Sequence, residues 1–249
     1  MGKLLKYEFR KTLGIKMIIL AITAVIEAFV LIGLYTESED TFAISTCILV
    51  LESFVAIILI GIYGIRLLHK DLNTKQSYML FMTPNSSYKI LGSKVIESGA
   101  SIIIGGSFFI ALGALDAVLI SAKYGELEEM FDALGYFFSD LVRLDSGVVI
   151  TSLFSMLVSW LFVITLGFFA EVIAATLLNG RKHSSILSFI IFIVILIVVS
   201  NVVANVAHPG SSSSYISISY NIINIVIYAL LSLVMYFITA WIMDNKLSV

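Results

Sequence analysis

Five carboxylic acids stand inside long apolar runs: Glu27, Glu52, Glu97, Asp116 and Glu171. An ionisable side chain in hydrocarbon is costly, so each requires a partner, a proton or a route to water. Glu97 and Asp116 lie close enough to the ends of their run to reach an interface by extending their side chains. Glu171 lies near the end of another run, where Arg181 or Lys182 could pair with it. Glu27 and Glu52 are deeper, at about 15–17 Å, near the middle of a bilayer. There they are either protonated or turned toward a polar cavity or a base. That suits a transport pathway or a gate, and it equally suits a hydrogen bond between helices. Asn201 and Asn205, one helical turn apart, and the pair Asn221 and Asn224 add amides that could line a vestibule or hold two helices together.

Other chemistry is excluded. One cysteine, Cys47, cannot build a disulfide framework or a cysteine zinc site, and His69, His183 and His208 are far apart in sequence. No GxxxxGK[ST] phosphate loop, HExxH or GxSxG occurs. No metal, cofactor or catalytic residue is therefore expected, nor a nucleic-acid partner; the net charge of −2 by itself suggests nothing.

The elements that must position these residues follow from composition. Of 249 residues, 59% are hydrophobic and 13% charged, half the charge of a soluble domain. Several apolar runs exceed the roughly 18 residues that mark a membrane span. The expected class is all-α, a polytopic membrane protein with six transmembrane helices. The spans fall at about 16–35, 42–65, 95–120, 146–178, 185–206 and 220–243, in one permeating domain over 1–249. Residues 146–178 make a helix longer than a bilayer needs, with Gly167 a weak point where it could bend. Residues 1–15 read as a basic amphipathic helix in the interface, with Lys3, Lys6 and Arg10 on one face and Leu5 and Phe9 opposite. The acidic segment 121–145, with apolar residues at helical spacing, reads as an amphipathic helix on the other interface.

Charge sets the expected orientation. Six spans put both termini on one side, and that side carries 13 of the 15 Lys and Arg. The positive-inside rule then makes the termini and the 66–94 loop cytoplasmic. That loop, RLLHKDLNTKQSYMLFMTPNSSYKILGSK, is basic at its flanks, where Arg66 and Lys94 read as interface anchors. Its middle is apolar up to Pro84. It is shaped to be gripped by another protein.

The start LLKYEFRKTL, the six spans and this loop together resemble the ABC-2 type permease subunits of bacterial ABC transporters. In the loop the resemblance rests on Asp71-Leu72, Tyr78, Phe81, Pro84 and Lys89/Lys94 in that order. It implies a multi-pass subunit of the bacterial plasma membrane that pairs with a second permease chain, identical or not. Separate ATPase subunits would carry out ATP hydrolysis. The N-terminal helix would be an elbow helix. Residues 66–94 would be the coupling loop, with Asp71, Lys75, Tyr78, Phe81, Met82 and Pro84 meeting the ATPase. Spans 2 and 5 would face the route, placing Glu52, Asn201 and Asn205 beside it, with Glu27 a further candidate. The implied activity is export of an amphipathic peptide, antibiotic or lipid-like molecule. The alternative is a proton- or cation-coupled secondary transporter using Glu27 and Glu52. A third class is an intramembrane enzyme or scaffold.

Overall fold

A computed structural model describes residues 1–73, 86–125, 146–178, 184–207 and 218–247, together with 128, 129, 131, 132 and 135. All regular structure among these is helical: α1 Gly2–Tyr35, α2 Glu39–Asn73, α3 Ser87–Tyr124, α4 Ser146–Leu178, α5 Ser184–Ala207 and α6 Ile218–Ile242. A π-helical turn, Met243–Leu247, follows α6. All six helices are long and apolar enough to cross a membrane. Their outward faces are apolar: Ile110 is 76% exposed, and Phe54 and Phe189 are each 65% exposed. A soluble protein does not display such a surface over helix after helix. Lipid does not penalise it, so these are the helices of a multi-pass membrane protein.

The helices outrun their apolar segments. α1 begins at Gly2, so the basic start is its first turns and not a separate helix along the interface. No proline interrupts it. Its buried residues Glu8, Thr12, Ile19, Thr23, Val30 and Leu34 recur at spacings of four and seven, one continuous stripe. The bases Lys3, Lys6 and Arg10 are exposed, as amphipathic patterning requires. α2 likewise runs on to Asn73, and α3 begins at Ser87, so both ends of the 66–94 loop are helical.

The chain divides into two compact units. One comprises Gly2–Gly64 and Glu97–Tyr136; the other comprises Met1, Ile65–Ile96 and Phe137–Val249.

In the first unit α1 turns into α2 at Glu37, whose φ of 57° is left-handed. The Ser38 amide donates to the Gly33 carbonyl at 3.2 Å, closing the end of α1. Glu39 and Asp40 then occupy the first turn of α2, where the helix dipole favours acids. Gly33 is needed here because a Cβ would lie 2.7 Å from the backbone nitrogen of Phe42. α3 ends before Gly125, at φ 76°. Most of the segment expected to form an amphipathic helix at 121–145 lies outside the described residues.

In the second unit α4 is the central helix. Phe162, Ile164, Leu166, Phe168, Ala170, Val172 and Ala174 are all buried, which encloses this stretch on every side. Phe162, Leu166 and Met235 form a core with Phe192, Leu196 and Tyr228 packed against it. α4 runs unbroken through Gly167. This glycine admits Ile65, whose Cδ1 would lie 2.3 Å from an added Cβ.

Gly33→Ala should lower stability by about 1–3 kcal/mol, because backbone would have to move to admit the methyl group. Gly106→Ala, which meets nothing within 4 Å, should be neutral or slightly stabilising. Thermal unfolding of the two purified variants in detergent checks the contrast.

Candidate functional site

In the unit that holds most of α1, the membrane acids are arranged as a file. Glu97 is 3% exposed. Its Oε1 accepts from Thr12 Oγ1 at 2.6 Å, Lys16 Nζ at 2.8 Å and Ser101 Oγ at 2.7 Å. Lys16 also donates to Ser101 at 2.6 Å. α1 and α3 therefore carry a neutralised charge pair inside a shell of hydroxyls, the form in which a charge tolerates burial.

Further along the file, Thr23 donates to Glu52 Oε1 at 2.9 Å. Glu27 lies within hydrogen-bond reach of Asp116. The depths agree: Glu27 is eight residues before the end of α1 at Tyr35, and Asp116 eight before the end of α3 at Tyr124, about 12 Å in each case. One oxygen of each of Glu27, Glu52 and Asp116 is buried without a hydrogen-bond partner. The file closes where Lys123 donates to the Leu34 carbonyl and stands 3.6 Å from Glu37.

The second unit contains the flanks of the 74–85 segment. Asp71 and Lys94 face each other at 2.6 Å, each side chain 3% exposed. Lys94 is thus not an interface anchor but half of a buried ion pair. On the other flank, the Ser87 amide donates to Asp244 Oδ1 at 3.3 Å. The Tyr236 hydroxyl donates to the Tyr88 carbonyl at 2.6 Å. Two residues before Asp71, His69 Nδ1 lies 2.7 Å from Glu171 Oε2, and its Nε2 lies 3.1 Å from Ser185 Oγ. Glu171 thus has a partner on α2; Arg181 and Lys182, the partners expected for it, lie outside the described residues. The hydroxyl–imidazole–carboxylate series joins α5, α2 and α4. With a neutral imidazole, Ser185 donates to Nε2; with a charged one, Nε2–H donates to Ser185, so the tie holds in either state.

The remaining candidates are spread apart. Asn201 and Asn205 are exposed, and Asn201 donates to the Ile197 carbonyl of its own helix. Asn221 and Asn224 are buried, and Asn221 bonds Thr151 and Ser152 of α4, so of the two uses open to these amides it holds helices together. Lys75, Tyr78, Phe81, Met82 and Pro84 lie outside the described residues. Reasoning from sequence missed Lys16, Lys94 and His69 as partners. The signal available was the pairing of each intramembrane acid with a base at a matching depth on another helix.

No protein family, curated protein or solved structure matches this chain.

Asp71→Ala should cost about 3–5 kcal/mol by removing the carboxylate that the buried Lys94 ammonium meets at 2.6 Å, whereas replacing both, Asp71→Leu with Lys94→Met, should cost much less. Denaturation of the single and double variants measures the difference.

Proposed function

We propose that the chain is the membrane-spanning permease subunit of an ATP-driven exporter of the ABC-2 type. In this reading separate ATPase subunits supply the energy, and a second permease chain, identical or related, completes the pathway. The termini and the 74–85 segment face the cytoplasm of a bacterial cell. The resemblance in the sequence motivates the reading, and one observation supports it: both flanks of the segment are tied by polar side-chain contacts to α4, α5 and the end of α6, and a buried ion pair ties them to each other. Asp71–Lys94 joins the two flanks to each other. Tyr236 and Asp244 hold the start of α3, and Glu171 and Ser185 hold the end of α2. A loop that served only to connect two helices would not need this. A loop that is pushed would, because a displacement is passed on only through contacts that do not yield.

The mechanism follows from the ties. ATP closes the ATPases, the grip on residues 71–84 shifts, and α4, α5 and α6 move with the flanks. The protein passes between inward- and outward-open states, with ATP favouring one through its differential affinity. An amphipathic or lipid-like cargo fits the apolar faces of the helices.

A second reading is a proton- or cation-coupled carrier. It draws on Glu27, Asp116 and Glu52 standing in one file, each with a buried oxygen that no hydrogen bond satisfies. The two readings separate in reconstituted vesicles. The permease reading expects transport only with a co-purifying ATPase, and loss of that ATPase in the Tyr78→Ala/Phe81→Ala variant. Asp71→Asn should retain the ATPase and lose most transport. Transport without any ATPase, with a pH dependence abolished by Glu52→Gln, would replace the first reading by the second.

A further inference from the structure

Beside the Lys16–Glu97 pair, α1, α2 and α3 leave a cavity of about 320 Å³. Its walls are apolar, among them Phe9, Leu13, Ile104 and Phe108, and its polar groups are Lys16 and Ser101. A volume at the low end for ligand pockets suits one hydrocarbon chain and no larger body. Lys16 is the last charged residue before the apolar run that starts at Met17, so it stands at headgroup level with hydrocarbon beyond it.

The ammonium of Lys16 has three N–H groups. One goes to Glu97 and one to Ser101, and its Nζ lies 4.8 Å from the ring centre of Phe9. A third donor remains, on a side chain that is 25% exposed. Glu97, 4% exposed, is withdrawn behind it, so a molecule in the cavity meets the cation and not the carboxylate. Lys3, Lys6 and Arg10, exposed on the same end of α1, add positive potential.

We propose that this cavity is a binding site for an anionic phospholipid of the surrounding membrane. One acyl chain lies along Ile104 and Phe108, and the phosphate accepts from Lys16. Any lipid tail can enter an apolar cleft. What selects the anionic headgroup is the third Lys16 donor, which a choline headgroup meets with its own cation close by. The site is independent of the permease reading, since it needs neither an ATPase nor transport.

The test uses the full chain in nanodiscs of phosphatidylcholine doped with a photo-crosslinking phospholipid, as phosphatidylglycerol or as phosphatidylcholine with the same chains. Cross-links mapped by peptide mass spectrometry should fall on residues 9–20 and 101–109, about fivefold more with the phosphatidylglycerol probe. Ile104→Trp, which fills the cavity without touching the ion pair, should remove them. Lys16→Gln should keep the cross-links and erase the headgroup preference. If Lys16→Gln fails to fold, Ser101→Ala, which leaves Lys16 a second unpaired donor, should retain the preference and Ile104→Trp still decides occupancy. Equal labelling by both probes, labelling that survives Ile104→Trp, or displacement by a free fatty acid but not by phosphatidylglycerol would each overturn the assignment.

Discussion

A charge that cannot reach water must be cancelled by an opposite charge in contact with it, and both units of this protein are built around that requirement. In one, Lys16 and Glu97 meet at 2.8 Å inside a shell formed by Thr12 and Ser101. In the other, Asp71 and Lys94 meet at 2.6 Å. Neither pair is favoured merely by being ionic. Desolvating two charges costs several kcal/mol per ion, and apolar residues of the same size would often serve stability as well. What such pairs supply is position. Glu97 fixes the register of α1 against α3, because only one rotation of each helix brings Thr12, Lys16 and Ser101 to one oxygen. Asp71 and Lys94 fix where α2 ends relative to where α3 begins.

The apolar surface does not have this precision. In lipid, an exposed isoleucine is no worse placed than a buried one, so the greasy faces of α1–α6 set depth and little else. Specific pairing of the helices then falls to polar contacts and close approaches. Gly33 against Phe42 and Gly167 against Ile65 are the close approaches; Asn221 with Thr151 and Ser152 and Tyr236 with Tyr88 are polar ones.

The same division explains what could be read from the sequence. Hydropathy marks the hydrocarbon-embedded part of each helix, and the six spans follow from it. It does not mark where a helix stops, because hydrogen bonding continues past the interface as long as no breaker intervenes. Hence α1 absorbed the basic start, and α2 and α3 extended into the 66–94 loop. The acids were visible as anomalies, but their partners were not. Lys94 is 23 residues from Asp71, and Glu171 is 102 from His69. No periodicity links such pairs; only the packing of the helices does. The mid-membrane position of Glu27 and Glu52 was legible from counting. That Asp116 would stand beside Glu27 could have been inferred too, since α1 and α3 cross in the same direction and each acid lies eight residues from its helix end.

The two polar assemblies differ in a way that bears on function. The Asp71–Lys94 junction and its neighbours are held by paired polar contacts, so they fix the ends of α2 and α3. The file of Glu27, Asp116 and Glu52 is incompletely satisfied, each with an oxygen that finds no donor. A buried acceptor left open costs about 1–3 kcal/mol. Structures keep such costs where a proton, a water molecule or a moving cargo supplies the missing donor part of the time. The two units therefore handle buried polarity in opposite ways: one pairs its charges in full contact, and the other leaves carboxyl oxygens open.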